Sequence, residues 1–428
     1  MVVPSRFTHP RSVKLRRIMI IALVVVAALG VTASSATTAT SETGITATSV
    51  KIGGTFPLSG PASLYATIPV AMKAYFSYVN ARRGPDGKRG VYGRQIIWNY
   101  KDDQYSPPQA VQLTRGLVEQ DNVFAVVGSL GTAVNTAIRP YLNEKKVPHI
   151  LVSTGATTWG ADWKQYPWTT GWQPNYQFEG RLYGQKIARN SPNAKIGVLY
   201  QNDDYGQDLL TGLKAGLGAK ASNIVDAEPV EVSAPSVGSQ ITKLKASGAT
   251  VFVIIATPGP TVLAYATATA LKWSPAVVYT NAVSATDTFL TLAKVKYGAG
   301  DLVDKTFTTQ YAKDPANPKW DNDAGMKLYK QVMDKYYPKG RVTDSLNLYG
   351  VATAHAFTQL LYAAGKNPTR ASLMKAVRSW NERNPFLLPG IKQNTGPANQ
   401  FPISCNLIAK FTNGTFTPVS RITCDGDK

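Results

Sequence analysis

The apolar positions recur with two periods that alternate along the chain. Short runs such as Val50-Lys51-Ile52-Gly53-Gly54-Thr55-Phe56, Arg94 to Tyr100, Val123 to Val127 and His149 to Ser153 read as strands. Residues 64–82 carry Ile68, Ala71, Tyr75 and Val79 at helical spacing, and Pro108 to Gln120 and Ala133 to Glu144 read as further helices. After an aromatic segment the alternation resumes. It runs through helix Phe178 to Arg189, strand Lys195 to Tyr200, helices Asp208 to Leu217 and Gln240 to Ala246, strand Val251 to Ala256, helix 261–271 and strand Ala276 to Tyr279. Short apolar strands between helices predict an α/β fold of parallel sheets covered on both faces. A ligand of such a fold lies beyond the carboxyl ends of strands, beside helix N-termini, so the turns after strands are where function is sought.

At 428 residues the chain is long for one core and predicts two lobes. With 44% hydrophobic and 17% charged residues it is not a disordered chain. Residues 1–17 carry Arg6, Arg11, Lys14, Arg16 and Arg17 and no acid, and the apolar run Ile18 to Val31 follows. That run is short for a membrane span and suits a signal-peptide core, with cleavage expected near Ala33 or Ala36. Arg16-Arg17 leaves the choice between a general and a twin-arginine export route open. No cysteine follows the run, so no lipid anchor is expected, and the mature protein is predicted to be soluble and exported to the periplasm or beyond. Removing the leader takes the net charge from +20 to +20 − 5 = +15. The basic residues are spread out, and their densest cluster, Arg82-Arg83 with Lys88-Arg89, sits in a Gly/Pro turn. Nucleic acid is therefore not the expected partner.

Three turns are candidate sites. Pro57 to Tyr65 joins the first strand to the first helix. Gly128-Ser129-Leu130-Gly131-Thr132 and Ser153-Thr154-Gly155-Ala156-Thr157-Thr158 each follow a buried strand and offer hydroxyls and amide N–H groups suited to a carboxylate. Either loop could equally be a helix cap. Trp159, Trp163, Trp168 and Trp172 fall in one segment and read as packing at a junction or as an aromatic wall. The chain lacks HExxH, GxSxG and a phosphate-binding loop, and its GxGxxA match at Gly216 ends a helix instead of following a strand. His149 and His355 lie in apolar surroundings and read as structural. Two cysteines cannot make a disulfide scaffold or a four-ligand zinc site; together with the missing motifs, this leaves no metal, cofactor or enzyme activity expected. Cys405 and Cys424 flank a hairpin turning at Asn413-Gly414. Simple pairing puts Cys405 opposite Ile422, with a bulge needed to reach Cys424, and export makes a disulfide the default.

Several stretches, each weak alone, occur in an order that resembles one family. They are Lys51-Ile52-Gly53-Gly54 with Pro57-Leu58-Ser59-Gly60-Pro61, Lys101-Asp102-Asp103, Val127-Gly128-Ser129, Trp168-Thr169-Thr170-Gly171, Leu199-Tyr200-Gln201-Asn202-Asp203-Asp204-Tyr205-Gly206 and Leu388-Pro389-Gly390. The chain from about Thr46 onward resembles type I periplasmic binding proteins of the branched-chain amino-acid branch, the solute receptors of ABC importers. The resemblance implies two doubly wound lobes joined by three crossovers. Lobe one would take 45–170 and 307–400, and lobe two 171–306 and 401–428. It also implies a monomer that closes like a hinged clamp and docks on permease subunits. The family's ligand positions fall on Tyr65, on Thr132 with Leu130 and Gly131, on Gly155 and Thr157 with Ala156 between them, and on Tyr205. The lobe-two tyrosine of the family falls on Thr257, and the acid that holds an amino-acid ammonium falls on Asn281. A buried ammonium needs a charged partner. On this comparison the expected ligand is a carboxylate with an apolar or aromatic body, in preference to leucine, isoleucine or valine. A branched-chain amino-acid receptor and a ligand-sensing component of a signalling system are the alternatives; an exported enzyme is disfavoured, since no nucleophile–base pair stands at the strand ends.

Overall fold

A computed structural model describes residues 42–426, and the leader expected over 1–36 lies outside them. Two sheets organise the chain. The first has the order β2-β1-β3-β4-β5, with β1 Ser49–Phe56, β2 Gln95–Asp102, β3 Ala125–Val127, β4 His149–Val152 and β5 Thr169–Gly171, all parallel. The second begins with β6 Ile196–Gln201, β7 Ile224–Val230, β8 Val251–Ile255, β9 Val277–Thr280 and β10 Thr306–Gln310. These five are parallel in the order β10-β9-β8-β6-β7. β11 Asn381–Glu382 and β12 Gln393–Asn394 form a separate two-stranded ribbon. β13 Cys405–Thr412 then joins the second sheet antiparallel to β10, and β14 Thr415–Pro418 and β15 Thr423–Cys424 pair with β13.

Helices alternate with strands as the periodicity predicts, and helices return after β10 to pack against the first sheet's layer. Ser345–Ala363 lies along Thr67–Ala81, burying Leu348, Val351, Phe357 and Leu360. The strand Thr306–Gln310 belongs to the second sheet, so the chain leaves that sheet after Gln310 and not at 306/307. The helix expected from Asp208 starts at Asp204, because Asp203 caps it and accepts from the amide of Gly206 at 3.1 Å. β7 had no sequence expectation. It is an edge strand buried only at its last residue, so it shows neither an apolar run nor clean alternation.

In the first sheet β1 lies between β2 and β3, and in the second β6 lies between β7 and β8. Each is a switch point where successive crossovers go to opposite sides, leaving a crevice at the strand ends. The turns after β1, β3, β6 and β8 carry Tyr65, Thr132, Tyr205 and Thr257, and they open into the same space.

Asn413 and Gly414 hold the positive φ values of a tight hairpin turn, 51° and 81°. The direct ladder ends at Ala409 opposite Pro418. Residues 419–422 then leave it, Ser420 Oγ accepting from the amide of Ile408 at 2.8 Å, and pairing resumes with Cys405 opposite Cys424. This excursion closes the two-residue gap, and the two cysteines are joined in a disulfide.

Candidate functional site

The helix Thr132–Glu144 follows β3 after the turn 128–131, and its first amides have no intrahelical acceptor. Gly131 precedes it with φ 105°, and a side chain there would stand 2.5 Å from the ring of Tyr105. Glycine is required for both reasons. Thr132 Oγ1 is 2.6 Å from Thr154 Oγ1, which orients the hydroxyl at the helix start.

Across the cleft, helix Tyr176–Asn190 packs against Asp204–Leu217 with backbones in contact. A side-chain carbon on Gly180 would sit 2.2 Å from the carbonyl of Leu209, and one on Gly212 would sit 2.2 Å from that of Gln177. This close crossing sets Tyr176 and Glu179, from the first turns of one helix, beside Tyr205 at the start of the other. The rings of Tyr176 and Tyr205 meet edge to face at 5.1 Å.

Between the two sheets lies a cavity of about 130 Å³ that opens to solvent at its mouth. Tyr65, Leu130, Gly131, Thr132, Tyr205 and Thr257 line it, as six of the sequence-named positions. Four do not. Gly155 and Ala156 turn away, the carbonyl of Gly155 accepting from the amide of Tyr176 at 2.7 Å. The amide and hydroxyl of Thr157 donate to Asp208 Oδ2 at 2.8 and 2.9 Å, so Thr157 ties the two sides together at the rim. Ser153 stands on the wall in their place. Asn281 lies behind the wall, its Oδ1 accepting from Ala256 N at 3.3 Å, while its neighbour Ala282 reaches the cavity.

Sequence reasoning missed much of the remaining wall. Of the four clustered tryptophans only Trp172 lines the cavity, its ring 4.9 Å from Tyr349 and 6.3 Å from Tyr311. Trp159 packs instead against His149, with Arg139 over its ring. His149 is buried and hydrogen-bonded to Asn135 at 2.8 Å, and burial pushes its pKa down to about 3, so it stays neutral. His355 meets Tyr75 at 2.7 Å in the core. Both histidines are structural, as read from sequence.

The wall also holds an acid. Glu179 is 3% exposed. Its Oε1 accepts from the amide of Ala282 and from the hydroxyl of Tyr183, both at 2.7 Å, and burial pushes the carboxyl up to about 7. Its sequence signal was an acid on a buried helical stripe, with Tyr176, Tyr183 and Ile187 at i−3, i+4 and i+8. Other polar atoms on the wall have no protein partner: the hydroxyls of Tyr205, Thr257 and Thr309, the indole N–H of Trp172 and the amide of Asn406. Buried polar groups are normally bonded, so these are positions for a solute's polar groups or water.

Contacts bridge the two sides of the cleft beyond Thr157–Asp208. The hydroxyl of Tyr65 donates to the carbonyl of Val283 at 3.2 Å, and Arg341 pairs with the buried Asp287 at 2.9 Å. Asp287, the acid nearest to Asn281 on the C-terminal side, is thereby already paired and is not on the cavity wall. Among the described residues no group of three or more metal-ligating side chains occurs.

Comparison with known proteins agrees with this architecture. A Leu/Ile/Val-binding protein homolog 1 of Brucella abortus (strain 2308) is 24% identical over 343 residues, covering 79% of this chain and 83% of its own. A branched-chain amino acid ABC transporter protein of Thermus thermophilus, solved with bound valine, superposes with a TM-score of 0.75 at 17% identity, covering 88% of this chain and 97% of that one. A fatty acid ABC transporter substrate-binding protein of Thermomonospora curvata superposes with a TM-score of 0.74 at 20% identity, over 90% and 95%. These likenesses show the type I fold, two doubly wound lobes around a cleft. The family model for periplasmic binding proteins matches residues 49–415. The chain belongs to the periplasmic binding protein family, as a solute-binding receptor.

Proposed function

We propose that the protein captures a small carboxylate-bearing solute with an apolar or aromatic body in the cleft and delivers it to the permease subunits of an ABC importer, outside the cytoplasm and as a monomer. The observation that carries the ligand class is the pairing of two unlike surfaces in one cavity. Thr132 and the open amides of its helix stand at one place on the wall, and the rings of Tyr65, Trp172, Tyr176, Tyr205 and Tyr349 form an aromatic part of it. Helix N-termini favour anions, and hydroxyl and amide donors to a carboxylate are charge-assisted. Aromatic rings bury a ligand body at little entropic cost. The relatives' names span branched-chain amino acids and fatty acids, which share a carboxylate and an apolar body. A thermal-shift screen over amino acids, aromatic acids and short aliphatic acids tests this reading, since a bound solute raises the melting temperature. At least one carboxylate should give a saturable rise. A response confined to uncharged sugars or polyols would refute the ligand class.

A further inference from the structure

Three charged side chains line the cavity, and two are committed to the protein. Lys313 Nζ lies 2.6 Å from Asp323 Oδ1 and donates to the carbonyl of Pro385 at 2.7 Å. Asp314 accepts from the amides of Ala316 at 2.9 Å and Phe416 at 3.0 Å. Glu179 is the third. Both hydrogen bonds it receives end on Oε1, which leaves its other oxygen for the cavity, and no cationic side chain pairs with it among the described residues. A carboxylate in an aromatic-walled cavity is costly unless a cation meets it. The arrangement is also stiff. The amide of Ala282 fixes Oε1 from the loop after β9, and the glycine-mediated helix crossing fixes the backbone.

We propose that Glu179 receives a protonated amine of the solute, so that the ligand is a zwitterion with its carboxylate at Thr132 and its ammonium nitrogen at Glu179. The acid comes from the first helix of lobe two, whereas by family resemblance the ammonium-binding acid falls on Asn281, in the loop after β9. This inference rests on the carboxylate reading above, and it replaces the expectation, drawn from Asn281, of a ligand without an ammonium group. Burial holds Glu179 near pH 7, so pairing with an amine strengthens as pH rises and the carboxyl ionises. The groups facing it are Tyr176, Tyr183, Tyr205 and Tyr311, whose hydroxyls burial keeps protonated. Asp314 on the same wall is also raised by burial, so the pH effect is assigned to Glu179 by substitution.

The test is calorimetry on the purified protein with two matched series. One is phenylalanine, 3-phenylpropanoate and 2-phenylethylamine; the other is leucine, 4-methylpentanoate and 3-methylbutylamine. In at least one series the amino acid should bind about tenfold or more tighter than the acid lacking the amine, the scale of one charge-assisted contact. That advantage should be larger at pH 8 than at pH 6. Glu179→Gln should remove both the advantage and its pH dependence while still binding the acid without an amine. Equal binding of the acid with and without the amine by the wild type would overturn the role of Glu179 and leave the carboxylate reading standing. Equal binding of the amine with and without the carboxylate would do the reverse. An advantage that survives Glu179→Gln, or no binding by any amine-bearing probe, would also overturn the proposal.

Discussion

A carboxyl held near pH 7 by burial makes its own contribution to stability, apart from any ligand. In the unfolded chain a glutamate carboxyl titrates in the ordinary range, near 4.5. Between that value and about 7 the folded state therefore holds more protons than the unfolded state, and stability contributed by neutral Glu179 is lost as pH rises through this window. His149 works the other way, because its folded value of about 3 lies below the unfolded one. The difference between variants is thus a cleaner readout than the absolute curve. Glu179→Gln keeps an oxygen for the amide of Ala282 and the hydroxyl of Tyr183. We expect the stability of the ligand-free variant relative to the wild type to grow between pH 5 and pH 8, by roughly 2–3 kcal/mol. Urea denaturation at the two pH values checks this; a constant difference would mean Glu179 is not a buried acid. At this scale the sequence was least informative. Thr132 could be placed from the turn that contains it, whereas Glu179 shares its stripe with Tyr176 and Tyr183 and was read only as part of a helix. Asn281 lies just past the expected strand and yet faces away from the cavity, since a one-residue difference decides which of Asn281 and Ala282 points inward.

Strands and helices were more legible than side-chain roles, for a physical reason. Fully buried strands such as Val251–Ile255, and helices with one apolar face, each carry a period that survives without tertiary context. Edge elements do not: β7, covered on one side only, shows no period, and the break between Pro418 and Thr423 is set by Ser420 bonding Ile408. That break is what lets the disulfide form. Its 19-residue separation implies a contribution of about 3 kcal/mol from restricting the unfolded chain. Replacing both cysteines by serine should lower unfolding stability by about 2–4 kcal/mol in urea titration, with the fold retained. Unchanged stability, or two alkylatable thiols in the unreduced wild-type protein, would contradict the assignment.

For the whole molecule, the described state has its lobes in contact through Tyr65–Val283, Thr157–Asp208 and Arg341–Asp287. Tyr65 and Val283 line the cavity and the other two pairs lie off its wall, and contacts of this kind between lobes are expected of a clamp that closes over what it binds. Ligand that touches both lobes favours this arrangement, so small-angle scattering should give a smaller radius of gyration at saturation than without ligand. Identical curves would speak against hinged closure. The central claim, that the cleft holds a solute by its carboxylate at Thr132, is tested most directly by calorimetry of phenylalanine or leucine against the corresponding carboxamide, on the wild type and on Thr132→Ala. The account predicts one site, weaker binding of the amide by the wild type, and a loss of roughly 1–3 kcal/mol for the acid but little for the amide in the variant. Acid and amide bound equally well by the wild type, with Thr132→Ala without effect, would contradict it.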